Sequence, residues 1–402
     1  MKKLENGICA PLGFRAGAAA AGVKKPGTTR LDCTLIVSDK PASVAGVFTT
    51  NRVFAAPVRY CREVCARGSA RAVFANSGNA NACTGEQGYR DVLATAALAG
   101  ELLGVTPGEV CVASTGVIGV PMPMDRLSKG VHACAGALSE TGSADAARAI
   151  MTTDTVPKET AVEVPVAGGA VRIGGIAKGS GMIAPNMATM LCFLTTDARI
   201  RPDDLRGLLR EAADQSFNCM CVDNDMSTND TLLCLANGAS GTAELLPGTP
   251  DFERFGAALA GLCVEIAKAL VRDGEGATKF VAIEVTGAAD VAGARQVARS
   301  VAHSQLCKTA FYGQDANWGR IACAAGYSGA DFDAALLDVH IQGIQVLERG
   351  QPTRYSEEEI QVRMGEPELS VRLDLHSGSG RAVFWTSDLS LDYVKINADY
   401  RT

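Results

Sequence analysis

Apolar and polar residues follow two periods along this chain, one of three to four residues and one of two residues. The longer period is typical of amphipathic helices, and the shorter one, together with brief apolar runs, is typical of strands. Helical spacing predicts helices at residues 92–103, 202–212, 252–270 and 291–302. Strand patterns occur at residues 33–37, 71–75, 110–113, 280–285, 336–346 and 370–375. Because the two kinds of segment alternate, we expect a layered α/β or α+β protein.

The pattern restarts after Lys279, where the long amphipathic helix has ended and a new strand begins. A chain of 402 residues is long enough for one large domain or two ordinary ones. We therefore predict a main domain at residues 1–278 and a smaller α/β domain at residues 279–402.

Composition argues against several classes of function. The chain has 38 basic and 44 acidic residues, and it has no basic run that would favour binding to nucleic acid or to an anionic membrane. The N-terminus lacks the apolar stretch of a signal peptide, and no run of about 18 apolar residues could span a membrane. We therefore expect a cytoplasmic protein with neither nucleic-acid nor membrane partners.

The fourteen cysteines are scattered, with no C-x-x-C pair and no histidine at the spacing of a zinc site. Buried, reduced thiols are the simplest interpretation. The acidic segment 219–230 superficially resembles a calcium loop, but it lacks the central glycine and the terminal glutamate at the required offsets. The sequence therefore predicts no metal.

A glycine-rich loop headed by Lys178 runs into an apolar strand that begins at Thr189. The lysine precedes the glycines, so this is not a phosphate-binding P-loop. One interpretation is structural, with Thr189 as the first residue of a buried strand. The other makes Thr189 a nucleophile whose base is its own α-amine, with a pKa of about 7.7–8.0, once the chain has been cut before it. No histidine lies nearby in the sequence, which favours a precursor that cleaves itself.

Two other loops carry candidate chemistry. Thr115 and Gly116 form a turn after a strand, where a hydroxyl and a backbone N–H would suit an oxyanion hole, and an ordinary turn is the alternative. Glu275 lies between Gly274 and Gly276, so it could protrude from a tight turn, and a solvated helix end is the alternative.

Taken together, these segments resemble the ornithine acetyltransferase family, the bifunctional arginine-biosynthesis proteins of the glutamate N-acetyltransferase type. The resemblance covers essentially the whole chain. Its motifs lie, in order, at residues 45–51, 76–81, 114–119, 151–154, 178–181, 188–191, 273–279, 315–320 and 393–402. It implies a layered α/β/β/α main domain with a smaller C-terminal α/β domain.

The resemblance also implies roles for individual residues. The precursor would be cut between Ala188 and Thr189, which gives an α chain of residues 1–188 and a β chain that starts at residue 189. Thr115 and Gly116 would form the oxyanion hole. The substrate site would be lined by Thr152, Lys178, Thr189, Glu275, Asn397 and Thr402. Thr153 is adjacent to Thr152 and could be confused with it.

The implied activity is transfer of an acetyl group from N-acetylornithine to glutamate by ping-pong chemistry, without a cofactor. Lys178 and Glu275 would offer one charge of each sign to a substrate that has both a carboxylate and an ammonium. The sequence leaves open which charge meets which group, and whether acetyl-CoA also serves as a donor. An assembly of two α and two β chains, or a larger one, is expected. The alternatives are an amidase or aminopeptidase with the same nucleophile, and a non-catalytic amino-acid-binding relative.

Overall fold

The computed structural model describes residues 2–184 and 190–399. In those ranges the strands are β1 (Lys2–Leu4), β2 (Phe14–Ala19), β3 (Cys33–Phe48), β4 (Ser69–Asn76), β5 (Val110–Ser114), β6 (Lys158–Val166), β7 (Gly169–Lys178), β8 (Leu191–Thr196), β9 (Met220–Cys221), β10 (Thr231–Ala236), β11 (Phe280–Ala288), β12 (Asp338–Ile341), β13 (Ile344–Glu348), β14 (Gln351–Pro352), β15 (Glu368–Asp374) and β16 (Gly380–Ser387). The helices are α1 (Ala56–Arg67), α2 (Gly85–Leu103), α3 (Met124–Gly136), α4 (Ser143–Ala149), α5 (Pro202–Gln215), α6 (Pro250–Arg272), α7 (Val291–His303), α8 (Gln305–Tyr312), α9 (Trp318–Gly326), α10 (Glu357–Met364) and α11 (Leu391–Asp399). Ala188, Thr189 and Thr402, three of the predicted site residues, lie outside the described residues.

Nine strands form the larger sheet, in the order β1-β6-β7-β8-β10-β3-β4-β5, with β2 paired to β3 beside this path. The sheet branches at the long strand β3. The first part of β3 pairs with β2, and its last part pairs with β10. Its register with β4 shifts between Val37 and Ala42, where a bulge or irregularity interrupts the pairing. Such interruptions bend a strand and increase its local twist.

Strand β8 shows how the layers are stacked. Leu191 and Phe193 belong to an apolar core shared with β3–β5 and helices α1–α4. Cys192 and Leu194, on the opposite face, belong to a core shared with α5 and α6. The strand is buried on both faces, which explains the apolar run over its first four residues, Leu191–Leu194. The predicted layered α/β class is confirmed.

The smaller sheet has the order β14-β13-β12-β15-β11-β16-β9. Six of its strands follow residue 279, but β9 comes from the preceding part of the chain and pairs in parallel with β16. One apolar core runs from the larger sheet through α6 to the smaller sheet. The division into domains at residues 278 and 279 therefore stays a prediction.

Local sequence signals explain where several helices begin and end. Pro202 occupies the first turn of α5, where it has no hydrogen bond to lose, and Asp203 and Asp204 follow it there. Thr249 caps α6 by accepting a hydrogen bond from the backbone N–H of Phe252. Helix α2 ends at Gly104, which adopts a left-handed conformation with φ of 66°.

The sequence pattern predicted one extended strand at residues 336–346, and that prediction is wrong. The structure has a hairpin of β12 and β13 there. Gln342 and Gly343 form its two-residue turn, with φ values of 51° and 79°. Positive φ at both central residues is the geometry that a tight hairpin turn requires.

No helix in the described part of the chain is long and apolar enough to cross a membrane. The fourteen cysteines are all unpaired, and twelve of them are buried. Cys83 and Cys323 are exposed, so the prediction of buried thiols is wrong for these two.

Candidate active site

A cavity of about 120 Å³ lies where β7 ends and where β8 and β10 begin. Six of the predicted site residues line it: Thr115, Gly116, Thr152, Lys178, Glu275 and Asn397. These residues are separated by up to 282 positions in the sequence (Thr115 to Asn397), and the fold brings them together. Thr153 lines the cavity beside Thr152, so the geometry gives no reason to prefer one of the two.

The turn after β5 presents two hydrogen-bond donors. The backbone N–H of Thr115 is occupied, because it donates to the carbonyl oxygen of Asn76 at 3.0 Å. The Thr115 hydroxyl accepts from Lys178 Nζ at 3.4 Å and keeps its own proton for another acceptor. The backbone N–H of Gly116 has no acceptor among the described residues. A hydroxyl and a free backbone N–H at one turn are the parts that an oxyanion hole needs.

Gly116 is required at this turn for two reasons. Its φ of 129° is a conformation that other residues rarely adopt. A Cβ atom there would lie 2.4 Å from the carbonyl carbon of Gly78, which is backbone and has no room to move aside. The turn therefore packs tightly on the loop that follows β4.

Asparagine side chains hold these loops in place. Asn76 accepts a hydrogen bond from the Ser114 hydroxyl at 2.7 Å. Asn229 donates to the carbonyl oxygens of Ala80 and Ser114 at 2.6 and 2.8 Å. Buried amide groups that make several hydrogen bonds fix a loop precisely enough for catalysis. The polar motif at residues 76–81 thus supports the Thr115 turn, a role that its sequence alone did not indicate.

Lys178 is the last residue of β7, and only 3% of its surface is exposed. Burial lowers its pKa, although Asp154 opposes this effect. Within the described ranges, the one hydrogen bond of its ammonium group is the long contact with the Thr115 hydroxyl. A buried cation with so few partners is typical of a functional site.

Behind Lys178, a second buried lysine is fully paired. Lys158 Nζ contacts Asp154 Oδ1 at 2.7 Å and Asp273 Oδ2 at 2.6 Å. We call these three residues the Lys158 cluster. Burial raises the pKa of Asp154, but Lys178, Lys158 and a backbone hydrogen bond outweigh burial and lower it to about 2.

The Lys158 cluster positions the cavity walls. Asp154 accepts backbone hydrogen bonds from Gly179 at 2.7 Å and from Thr152 at 3.0 Å. The carboxylate of Asp273 accepts hydrogen bonds from the backbone N–H and the hydroxyl of Thr155. The cluster therefore ties together the loop that carries Thr152, the end of β7 and the end of α6, which explains the sequence motif at residues 151–154.

Glu275 lies opposite Lys178 and is partly exposed. Asn397, on helix α11, donates to its Oε2 at 2.8 Å. A Cβ atom at Gly181 would lie 2.3 Å from that same oxygen, so the carboxylate rests against the glycine backbone. Gly276 has φ of 67° and packs against the backbone of Tyr393. The glycines therefore let two loops and α11 meet around one carboxylate.

The acidic segment after β9 also lines the cavity, which sequence reasoning missed. Asp223 accepts backbone hydrogen bonds from Met182 at 2.5 Å and from Ile183 at 2.8 Å, and burial raises its pKa. Asp225 lies beside it on the cavity wall. Burial also raises the pKa of Tyr393, and Asp223 adds to that shift. The only signal in the sequence was the density of acidic residues.

Asp230 is a second residue that sequence reasoning missed. It is fully buried directly before β10, and its Oδ1 accepts the backbone N–H of Met190 at 3.0 Å. Its Oδ2 has no hydrogen-bond partner among the described residues. Burial raises the pKa of this carboxyl well above its usual 3.8, although the hydrogen bond from Met190 and the charge of Lys178 oppose the shift.

Among the described residues, no group of three or more histidines, cysteines, aspartates or glutamates is arranged to hold a metal ion. The chemical groups that face the cavity are hydroxyls, carboxylates, amides and one ammonium. Such a set suits acyl transfer, because it offers oxyanion donors together with charges of both signs for an amino-acid substrate.

Comparison with known proteins agrees with this arrangement. The ArgJ family model matches residues 15–402. The arginine biosynthesis bifunctional protein ArgJ of Symbiobacterium thermophilum is 51% identical over 402 residues, a match that covers 100% of both chains. The protein of the same name from Geobacter sulfurreducens is 49% identical over 394 residues, which cover 97% of this chain and 99% of the relative.

A solved structure points the same way. The arginine biosynthesis bifunctional protein argJ of Bacillus halodurans is 43% identical, with a TM-score of 0.50, over 51% of this chain and 97% of the solved chain. The family resemblance that the sequence motifs predicted is confirmed over nearly the whole length. The chain belongs to the ArgJ family.

Proposed function

We propose that this ArgJ-family enzyme transfers the acetyl group of N-acetylornithine to glutamate through an acetyl ester on Thr189. The observation that carries the proposal is one cavity that combines Thr115 and Gly116 with opposite charges on Lys178 and Glu275. Membership of the family makes the chain an acetyltransferase of arginine biosynthesis. The substrates named here and the path through Thr189 are the proposal.

The proposed chemistry combines Thr189 with the groups that line the cavity. The α-amine of Thr189 takes the hydroxyl proton while the oxygen attacks the acetyl carbonyl. Thr115 and Gly116 stabilise the oxyanion of the tetrahedral intermediate. The C–N bond then breaks, ornithine leaves with the proton, and the acetyl group stays on Thr189 as an ester.

The second half of the reaction mirrors the first. The α-amine of glutamate attacks the ester carbonyl and loses a proton, which returns to the Thr189 oxygen as the C–O bond breaks. Both halves use the same oxyanion donors, and neither needs a cofactor. The α-amines of ornithine and glutamate are chemically similar, so one site serves both substrates.

Charge complementarity supports an amino-acid substrate. N-acetylornithine has a carboxylate and a side-chain ammonium, and the cavity offers Lys178 as well as Glu275. We assign the ammonium to Glu275, because Asp223 and Asp225 add further acidic groups to the cavity wall. The carboxylate then falls to Lys178, whose buried ammonium gains the partner that it lacks.

We infer that the chain cuts itself between Ala188 and Thr189. The solved Bacillus halodurans chain supports this, because 97% of that chain matches only 51% of the present one. A chain that ends at residue 188 or begins at residue 189 spans about half of the 402 residues. The proposal includes a cytoplasmic location and an assembly of two α and two β chains or more.

Purified protein tests both parts of the proposal. A denaturing gel should show two bands, each near half of 41.7 kDa, and one N-terminus should read Thr-Met-Leu-Cys. Thr189→Ala should abolish both cleavage and acetyl transfer, because one hydroxyl serves both reactions, while Thr189→Ser should retain part of each.

The same assay separates the competing activities. With N-acetylornithine as donor, the wild-type enzyme should form N-acetylglutamate only when glutamate is present. Release of free acetate at the same rate without glutamate would mean that water is the acceptor, and would favour the amidase alternative. Full activity of Thr189→Ala would remove Thr189 from the mechanism.

A further inference from the structure

Two apolar side chains beside the Thr115 turn have no role in the catalytic scheme above. Ala80 and Ile118 both line the active-site cavity. Ala80 is 2% exposed and belongs to a small buried cluster of apolar residues, against which Ile118 packs. The other members of that cluster are Ala55, Val58 and Ala82. We call Ala80 and Ile118 the apolar wall. Because closely packed side chains lie behind this wall, it has little freedom to move outwards.

Hydrogen bonds fix the apolar wall to the turn that carries the oxyanion donors. The backbone N–H of Ala80 donates to the carbonyl oxygen of Val117 at 3.0 Å, and that of Gly119 donates to the carbonyl oxygen of Ala82 at 2.9 Å. The carbonyl oxygen of Ala80 also accepts a hydrogen bond from the Asn229 side chain at 2.6 Å. The wall and the oxyanion donors are therefore held at a fixed distance from each other.

The other large apolar groups of the cavity lie at its charged end. Met182 and Tyr393 also line the cavity. The backbone N–H of Met182 donates to Asp223 at 2.5 Å. Burial raises the pKa of Tyr393, and the nearby charges of Asp223 and Glu275 add to this shift. These two side chains therefore belong to the half of the cavity that we assign to the charged part of the substrate.

The geometry of an amide decides which half of the cavity receives the hydrocarbon of the acyl group. The carbonyl carbon of N-acetylornithine carries an oxygen, a nitrogen and a methyl group, which point in three directions within one plane. The oxygen faces Thr115 and Gly116, and the nitrogen leads to the ornithine part, which binds Lys178 and Glu275. The methyl group takes the third direction. In the described part of the chain, the apolar wall is the hydrocarbon surface beside the oxyanion donors.

We propose that Ala80 and Ile118 determine which acyl group the enzyme transfers, because they leave space beside the oxyanion donors for the methyl group of acetyl but not for a longer chain. The inference rests on the proposed function, since it concerns the acyl group that passes through the ester on Thr189. The cavity of about 120 Å³ must also hold the amino-acid part of the donor, so little volume remains for further carbon atoms.

The balance of atoms is the same for a longer donor. Its acyl group moves from the ornithine nitrogen to the Thr189 oxygen, and ornithine leaves with the proton. The amine of glutamate then takes the acyl group, and the proton returns to Thr189. Only the fit of the hydrocarbon differs, and one methylene group more or less in an apolar pocket changes kcat/KM by about 10- to 200-fold.

Kinetics with two donors of different chain length test the inference, with glutamate as the acceptor. N-acetylornithine and N-butyrylornithine carry the same charges and differ only in the hydrocarbon of the acyl group. Ile118→Ala shortens the apolar wall and should raise the ratio of kcat/KM for the butyryl donor to that for the acetyl donor by about 10-fold or more. Ile118→Val should raise the ratio less. Mass spectrometry of Ile118→Ala without glutamate should show a butyryl ester on the chain that begins at Thr189.

Ala80→Val tests the apolar wall in the opposite direction, with the Thr115 turn unchanged. The added methyl groups occupy the space that we assign to the acetyl methyl group. The variant should therefore lower kcat/KM for N-acetylornithine by about 10-fold or more. N-formylornithine carries a hydrogen atom in place of the methyl group, so its kcat/KM should fall clearly less.

Val117→Ala is the matched control, because Val117 is half-buried in the same turn as Ile118 but is not among the residues that line the cavity. Its ratio of the two kcat/KM values should equal that of the wild type. An equal rise of the ratio in Val117→Ala would overturn the inference. So would an equal fall of kcat/KM for both donors in Ile118→Ala, since Ile118 would then act by supporting the turn.

The same measurements separate this inference from the proposed function. A wild-type enzyme that uses both donors equally well, or unchanged preferences in Ile118→Ala and Ala80→Val, would overturn the inference and leave acetyl transfer intact. A wild-type enzyme that transfers no acetyl group from N-acetylornithine to glutamate would refute the proposed function, and the inference with it.

Discussion

Two groups of buried ionisable residues lie side by side near the active-site cavity, and they differ in how their side chains are paired. In the Lys158 cluster, one ammonium contacts two carboxylates at 2.6 and 2.7 Å. Lys178 and Asp230 are also buried. Among the described residues, the ammonium of Lys178 hydrogen-bonds only to a hydroxyl. The Oδ2 atom of Asp230 has no hydrogen-bond partner among them. The paired group holds loops together, while the unpaired group is ready for partners that the reaction supplies. We expect substitutions in the first group to affect stability and those in the second to affect activity.

The largest expected effect on stability is that of Lys158→Met, which leaves Asp154 and Asp273 buried without their cation. Breaking a buried pair in this way costs about 3–5 kcal/mol. The measurement is the thermal or urea unfolding of the uncut Thr189→Ala protein, so that all samples share one covalent state. Lys178→Met is the control: the volume change is the same, but both carboxylates keep Lys158, so we expect a loss below about 1 kcal/mol. Equal losses would contradict the distinction between the two groups.

Thr115→Val should affect catalysis and leave the fold intact. It keeps the shape of the side chain and removes one oxyanion donor, which typically lowers kcat by about 10²- to 10³-fold, or about 2.7–4 kcal/mol. KM should change less, because the donor acts mainly in the transition state. Thr153→Val removes another hydroxyl from the same cavity and should cause a clearly smaller loss. An unchanged kcat in a correctly cut Thr115→Val enzyme would exclude Thr115 from the mechanism.

Glu275→Gln tests which substrate charge the cavity recognises. The amide keeps the volume and the contact with Asn397 but removes the charge. A charge-assisted hydrogen bond contributes about 1.5–3 kcal/mol, so kcat/KM for N-acetylornithine should fall by about 10- to 150-fold. An analogue without the side-chain amine serves as the control, and its kcat/KM should hardly change. If kcat/KM falls equally for N-acetylornithine and for the analogue, Glu275 does not bind the ammonium.

Acid titration examines the paired group by a second route. The pKa of Asp154 is about 2 in the folded protein, below its usual 3.8, so its ionised form stabilises the fold above pH 3.8. This contribution, about 2 kcal/mol, is lost as the pH falls from 3.8 towards 2. The stability difference between the wild type and Asp154→Asn should therefore shrink over that interval. A difference that stays constant with pH would mean that Asp154 acts through shape alone.

The smallest effect is expected for Asp230→Asn, because burial raises the pKa of this carboxyl and so favours its neutral form. The asparagine oxygen still accepts the Met190 N–H, so stability near pH 4 should change by less than about 1 kcal/mol. Above pH 3.8 the unfolded chain ionises first, so the wild type should lose stability relative to the variant as the pH rises. The readout is the unfolding free energy of both proteins between pH 4 and pH 8. A variant that becomes relatively less stable as the pH rises would show that Asp230 is ionised in the fold.

Much of the fold was predictable, because its signals are local. Pro202 with its following aspartates, and Gly104 at the end of α2, mark helix boundaries through backbone conformation and the helix dipole, which depend on neighbouring residues only. The hairpin at β12 and β13 was missed, since its turn uses Gln342 in a left-handed conformation that its sequence does not advertise. The parallel pairing of β9 with β16 was also out of reach, because it joins segments 165 residues apart (Met220 to Trp385).

The residues of the active site also divide into those that the sequence identified and those that it did not. Thr115, Gly116, Lys178 and Glu275 were identifiable from glycine-flanked loops and from the family motifs, and the fold places all four at one cavity. Asp223 and Asp230 were not identified, since an aspartate in an acidic loop is usually solvated. Burial, which only the folded chain provides, raises the pKa of both residues, although backbone donors from the facing segments oppose the shift.

The sequence by itself determined the class of fold, the family and the residue types of the site, because periodicity and motif order are written along the chain. The tertiary structure alone decided which buried charges are paired. Lys158 and Lys178 look alike as residues in apolar strands, but their direct partners differ: the ammonium of Lys158 contacts two carboxylates, and that of Lys178 hydrogen-bonds to one hydroxyl. The free energy of a buried charge depends on the groups within a few ångströms of it. Those groups come from distant parts of the chain, so they become neighbours only when the chain folds.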